Sequence, residues 1–290
     1  MMQILKRHSL ALLLCSAIFI AACNDNAKTN NDANTVTSTV DPVNDWKFGI
    51  ALWTFHDVNF PEALSRVDSA GLKYIEPNTF HRAGPELKDS MILQLSPAGI
   101  NKLKGLIAQK GLICESIYIV GDTSLRSWVK QFGAKYVTTE PPLNMWDAID
   151  SLAGAYGMKV AIHEHWKEFS HYWNPDTTLL ALQGHPNFSV CADLGHWPKS
   201  GIDPLEAVKK LSGHILGIHL KDIAAYNDIT LKDVPVGTGV VKFPEIFAEL
   251  KKQNFNGYIY IERDSIEHGG NVLSVKQEIK YYNGQISKLK

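Results

Sequence analysis

From Trp46 onward, short apolar runs alternate with stretches of helical periodicity. Eight runs are nearly continuous in apolar residues: Phe48–Thr54, Leu72–Glu76, Leu112–Tyr118, Lys135–Glu140, Lys159–His163, Phe188–Asp193, Leu216–His219 and Tyr258–Glu262. Unbroken runs of this kind suit strands covered on both faces, as in a parallel sheet. Helical stretches fall between them. Pro61–Ala70 opens on a proline, and Ser96-Pro97 starts a helix that runs to Lys110 and stops at Gly111. Leu125–Phe132, Trp146–Tyr156, Thr178–Gln183, Pro204–Leu211, Pro244–Gln253 and Val275–Leu289 follow. Eight strands, each trailed by a helix, predict a single-domain α/β fold, a (β/α)8 TIM barrel over residues 45–290. An open doubly wound sheet is the runner-up, but the turn after its first strand should be glycine-rich, and Trp53-Thr54-Phe55-His56 is not. The connection Pro77–Leu95 is long and follows a strand end, where it is placed to cover a site.

Upstream the pattern changes. Lys6, Arg7 and His8 precede the apolar run Leu10–Ile20, which is shorter than the ~20 residues of a membrane span. The run closes in Ile20-Ala21-Ala22-Cys23, similar to a bacterial lipobox. Residues 1–22 are therefore expected to be a lipoprotein signal peptide, with a lipid on Cys23 as the membrane anchor. An ordinary signal cut near Ala22 is the competing reading. Residues 23–44, rich in Asn, Thr, Asp and Ser, predict a disordered tether. The implied location is outside the inner membrane, on its periplasmic side or at the cell surface. The formal charge is −1, and −3 without Lys6 and Arg7, too acidic for a nucleic-acid partner. Cys114 and Cys191 lie inside strand patterns and read as small buried hydrophobes.

Catalytic groups of such barrels gather where the strands end. The runs end at Glu76, at Glu140, at His163-Glu164-His165, at Asp193 with His196 beyond it, at His219-Leu220-Lys221-Asp222 and at Glu262. This mixture of carboxylates and imidazoles, without thiolates, suits one divalent metal ion: Mn, Co, Zn, Fe or Mg. A cation would also let Glu140, Asp193 and Glu262 stay ionised side by side. Strand alternation puts His163 and His165 on one side and Glu164 on the other, which favours the histidines for the site. Trp53, Trp166 and Trp197 stand at strand ends, either as core or as flat surfaces for a sugar ring. Glu76 either pairs at its strand end or touches substrate. His56, His81 and His171 read as surface or loop residues. Gly237 and Gly239 suit a tight turn.

Four segments carry a resemblance: Cys191-Ala192-Asp193-Leu194-Gly195-His196, Ile218-His219-Leu220-Lys221-Asp222, Val236-Gly237-Thr238-Gly239-Val240-Val241-Lys242-Phe243 and Gly257-Tyr258-Ile259-Tyr260-Ile261-Glu262. In this order they resemble the xylose isomerase-like TIM barrel superfamily, which includes sugar isomerases and epimerases, inosose dehydratases and endonuclease IV. The resemblance implies that Asp193, His219 and Glu262 are metal ligands. The fourth ligand is usually a glutamate followed by Asn and His. Here that place reads His163-Glu164-His165, so either His163 or Glu140 completes the shell. His196 is a ligand in the nuclease branch and otherwise sits near substrate.

The resemblance further implies proton removal next to a carbonyl through a metal-bound enediolate. Glu262, Lys221 and a histidine base, His165 or His163, are the candidate catalytic groups. Trp53, Glu76, Trp166, His196 and Trp197 are the candidate substrate contacts. Export and the lack of a basic cluster point to an unphosphorylated keto-sugar or glycoside. Isomerisation or epimerisation is the expected outcome. β-Elimination on a 3-keto-glycoside is the alternative, and a non-catalytic sugar-binding lipoprotein is the reading of another class.

Overall fold

The apolar runs become strands of one parallel sheet in the computed structural model, which describes residues 41–119 and 127–290. The signal segment 1–22, Cys23 and the tether as far as residue 40 lie outside the described residues, as does the start of the helix expected at Leu125–Phe132. The strands are β1 (Lys47–Ala51), β2 (Tyr74–Glu76), β3 (Ile113–Cys114), β4 (Ser116–Tyr118), β5 (Tyr136–Thr139), β6 (Lys159–His163), β7 (Phe188–Asp193), β8 (Ile215–Leu220), β9 (Asp222–Ile223), β10 (Asp233–Val234) and β11 (Tyr258–Ile261). The helices are α1 (Phe60–Ala70), α2 (Pro97–Gln109), α3 (Ser127–Phe132), α4 (Trp146–Tyr156), α5 (Pro175–Leu182), α6 (His196–Lys199), α7 (Pro204–Lys210), α8 (Phe243–Lys252) and α9 (Val272–Leu289).

The sheet runs β3-β2-β1-β11-β8-β7-β6-β5-β4. Its two ends are halves of one expected strand, Leu112–Tyr118, interrupted at Glu115. β3 pairs with β2 and β4 pairs with β5, so this broken strand nearly closes the barrel. A parallel bridge between Asn78 and Tyr118 ties β4 back to the end of β2. The break has a tertiary cause. The Glu115 carbonyl accepts from Lys135 N at 2.7 Å, and its carboxylate accepts from Tyr258 Oη at 2.6 Å. Both tie the residue to the barrel instead of to β2. The hairpin β9–β10 and the short α6 were not anticipated from the periodicity.

Local signals explain most helices. In α1, the Asn59 side chain accepts from Glu62 N, Pro61 lies in the first turn, and Gly71 ends the helix in the left-handed region. Phe60, Ala63, Leu64 and Val67 form its buried face. The chain is folded from Asp41, earlier than the tether boundary at 44 implied. Val43 is buried against the main core, and Lys251 Nζ lies 2.8 Å from Asp41 Oδ2. The main core lies between strands and helices, while Ala51, Tyr136, Ala161, Cys191, Tyr258 and Tyr260 fill the barrel interior. Cys114 and Cys191 are free. No helix among the described residues is long and apolar enough to cross a membrane.

Candidate metal centre and cavity

Four neighbouring strands deliver one buried side chain each to the same point. His163 ends β6, Asp193 ends β7, His219 lies next to last in β8, and Glu262 follows β11. Register pairs Asp193 with His219, and His219 with Tyr260, so these inward residues stay level around the barrel. One ligand atom from each of His163, Asp193, His219 and Glu262 falls within 4.8 Å of the others.

Each side chain is held from behind. Asp193 Oδ1 accepts from Gly195 N at 2.9 Å and from His196 N at 3.1 Å, which leaves Oδ2 facing the centre. His219 Nε2 pairs with Glu76 Oε1 at 2.8 Å, and Glu76 Oε2 accepts from Thr138 Oγ1 at 2.7 Å. With Nε2 engaged by Glu76, His219 turns Nδ1 inward, 2.9 Å from Glu262 Oε2. Glu164 faces away, its Oε1 accepting from Asp193 N at 2.8 Å. Burial and the neighbouring Asp193 push the Glu164 carboxyl well above its usual range.

The inward atoms fit a cation. Both ring nitrogens of His163 and Nδ1 of His219 are buried without a hydrogen bond among the described residues, and Asp193 Oδ2 and Glu262 Oε2 meet no donor there in hydrogen-bond geometry, only the Lys221 ammonium as an ion pair. A buried polar atom left unpaired costs about 1–3 kcal/mol, and several on one point are unusual without a ligand for them. Burial opposes ionisation of Asp193, yet His196 and Lys221 hold its carboxyl far below the ordinary range. Glu262 is likewise held low against burial, by His219 and Lys221. Two imidazoles and two ionised carboxylates form a donor set for a first-row divalent ion or Mg²⁺.

Lys221 closes one side. Its ammonium lies 2.9 Å from Asp264 Oδ1 and 3.1 Å from both Asp193 Oδ2 and Glu262 Oε2, with His196 Nε2 at 3.2 Å. Burial opposes this charge, but Asp193, Asp264 and Glu262 keep the lysine protonated well above its normal pKa. Gly195 makes room for it: a Cβ there would stand 2.6 Å from Lys221 Cγ. The adjacent Asp222 points elsewhere. Its carboxylate accepts from Ile223 N, Gly237 N, Gly239 N and Val241 N at 2.8–3.1 Å, and so fixes the glycine turn. A Cβ on Gly239 would meet Ile223 O at 2.2 Å.

A second group adjoins the first through His163. Glu140, His163 and His165 also bring ligand atoms within 4.8 Å. Here the carboxylate is already engaged. Glu140 Oε1 pairs closely with His165 Nδ1, and Oε2 accepts from Ser170 Oγ at 2.6 Å. Glu140 therefore orients His165 and leaves its Nε2 for the cavity.

That cavity, about 620 Å³, opens above the centre and is lined by Trp53, Trp166, His165, His196, Lys221 and Glu262, among others. Two expected substrate contacts are corrected. Glu76 lies behind His219 with both oxygens engaged, and Trp197 is buried in the main core, so neither lines the cavity. His56 and His81, read as surface or loop, both lie in loops, and His56 is exposed. His56 lines the cavity, stacked on Trp53. His81 is buried, its Nε2 3.0 Å from Val58 O, and burial lowers its pKa to about 4. Tyr118, Phe80 and Lys199 line the cavity without having been singled out. Tyr118 ends its strand, as the charged residues of the site do; nothing in the sequence marks Lys199.

The sequence profile of the xylose isomerase-like TIM barrel family matches residues 143–283, the half that supplies all four converging ligands. The chain belongs to the xylose isomerase-like TIM barrel family. A family neighbour from Mycobacterium smegmatis, solved in complex with magnesium, has a TM-score of 0.65 at 14% identity over 85% of this chain and 98% of its own. At that identity it speaks for the fold alone. A crystal structure of an uncharacterised protein from Parabacteroides distasonis is 32% identical, with a TM-score of 0.63 over 83% of this chain and 99% of that one. Among named relatives, an inosose dehydratase of Clostridium perfringens is 28% identical over 152 residues, 46% of this chain and 51% of the relative. The chain thus spans about half the length of the curated relatives it matches.

Proposed function

We propose that the chain is a divalent-metal-dependent enzyme that removes a proton next to the carbonyl of an unphosphorylated keto-sugar or keto-glycoside. The carrying observation is the convergence of buried ligand atoms from His163, Asp193, His219 and Glu262 on one point beneath the cavity. A cation held there would supply Lewis acidity for a carbonyl oxygen. The chain's own groups divide the remaining work. His165, oriented by Glu140, takes the proton from the carbon beside the carbonyl through Nε2. The C–H electron pair moves onto the carbonyl oxygen, where the Lys221 ammonium offsets the developing charge. Trp53 and Trp166 bound the space and limit water.

Two outcomes share this step. If His165 returns the proton to another carbon, the product is an isomer or epimer. If a β-oxygen is present, the electron pair returns to form C=C, the β C–O bond breaks, and the departing oxygen takes the proton from His165. Similarity to an inosose dehydratase favours the second outcome, an elimination. The N-terminal pattern further supports an exported, lipid-anchored form, and a globomycin-sensitive mobility shift that Cys23→Ser abolishes would test it.

The test of the reaction is deuterium exchange. The metal-loaded protein should exchange the proton beside the carbonyl of 3-keto-glucosides or inososes in D2O, and Glu262→Gln should lose the exchange. Full metal occupancy with no exchange on any such ketone would leave the binding-protein reading.

A further inference from the structure

The cavity changes chemistry with depth. Its floor holds His163, Lys221 and Glu262, whereas its mouth is apolar. Among the large apolar side chains exposed in the described residues, Phe80, Phe169, Ile229 and Ile266 all line this one cavity. They come from four different loops, after β2, β6, β9 and β11. Phe169 is 65% exposed, so it contributes little to the core. An exposed apolar ring costs about 25 cal/mol for each Å² left in water, and an exposed apolar patch with a polar border commonly marks a binding site.

Flat groups frame the mouth on two sides. Trp53 stacks on His56, ring centroids 4.3 Å apart and planes 17° apart. Trp166 packs against Phe169 at 5.1 Å, and Lys199 Nζ lies 4.5 Å from the Trp166 ring centroid. The volume of about 620 Å³ falls in the middle of the ~300–1,000 Å³ range of pockets that enclose drug-sized ligands. A single sugar ring on the polar floor would leave the aromatic walls in water.

We propose that the mouth is a subsite for an apolar, ring-bearing aglycone, so that the substrate is an aryl glycoside and not a free sugar. This rests on the reading of the floor as a keto-sugar site. The aglycone would lie between the Trp53 and Trp166 sides, against Phe169 and Ile266, with the glycosidic oxygen toward the metal centre.

Calorimetric titration of the full metal-loaded protein with phenyl glucosides and the matched methyl glucosides, both anomers, tests the proposal. These unoxidised sugars do not react, so the binding ratio is read apart from catalysis. For one anomer the phenyl compound should bind at least about tenfold tighter than the methyl one. The ratio should collapse in Phe169→Ala and Ile266→Ala and persist in Leu180→Ala, which removes an exposed apolar side chain away from the cavity. Equal binding of phenyl and methyl compounds, binding by neither, or a ratio that survives both cavity substitutions would overturn it. Failure of the exchange reaction with the phenyl preference intact would instead count against the keto-sugar chemistry.

Discussion

His219 and His165 each face a glutamate, yet the two pairs sit in different surroundings. The Glu76–His219 pair is wholly buried, and the inner nitrogen of His219 points at two carboxylate oxygens whose one close cation among the described residues is Lys221. The Glu140–His165 pair is about one-fifth exposed, and Ser170 saturates its carboxylate. The first arrangement leaves imidazole nitrogens without hydrogen bonds beside two carboxylates that only Lys221 offsets. The second is complete, and it holds a ring nitrogen ready toward the cavity. Under the proposed function, the same carboxylate–imidazole motif would build a ligand in one place and a base in the other, depending on what lies on the far side of the ring.

Substitutions that separate the two pairs test this difference. Asp193→Asn should have the largest effect, lowering divalent-metal affinity by at least about a hundredfold and abolishing exchange, as read by metal titration and proton exchange. His165→Gln should leave metal affinity unchanged and slow exchange by about 10²–10⁴-fold. If it also releases the metal, the two groups act as one site. Glu76→Gln should lower metal affinity by about 10–100-fold through His219, and unaltered affinity would mean that Glu76 does not orient this ring.

A smaller effect concerns a third charged cluster. Arg263 pairs with Asp233, Glu267 and Glu278, so this group carries its own cation. Burial pushes Glu278 up to about 7 from the ordinary 4.5, outweighing the shared Arg263 guanidinium. The folded state therefore keeps a proton that the unfolded chain loses between about pH 4.5 and 7. The stabilising contribution is full below about pH 4.5 and disappears as pH rises through about 7, by roughly 1–3 kcal/mol. Thermal melts should show Glu278→Gln gaining on the parent protein as pH rises across this window. Parallel Tm curves would refute that assignment.

The barrel was legible because strand burial imposes continuous apolar runs, and the ends of those runs located Asp193, His219 and Glu262. The break at Glu115 was not, since it depends on Tyr258 and Lys135, far away in sequence. Glu76 shows a second limit. A charged strand end looks the same whether it faces substrate or backs a histidine, and only the position of Thr138 and His219 distinguishes the two. The aromatic mouth was partly visible in Trp53 and Trp166. Phe80, Phe169, Ile229 and Ile266 come from loops without periodicity, and only the fold brings them to one cavity.

Metal content measured on the purified chain, compared with Asp193→Asn and His165→Gln, tests the central claim most directly. The arrangement of the two pairs predicts one equivalent of divalent metal in the parent protein, one in His165→Gln and none in Asp193→Asn. Equal metal in all three, or loss with His165→Gln alone, would contradict a cation held by His163, Asp193, His219 and Glu262.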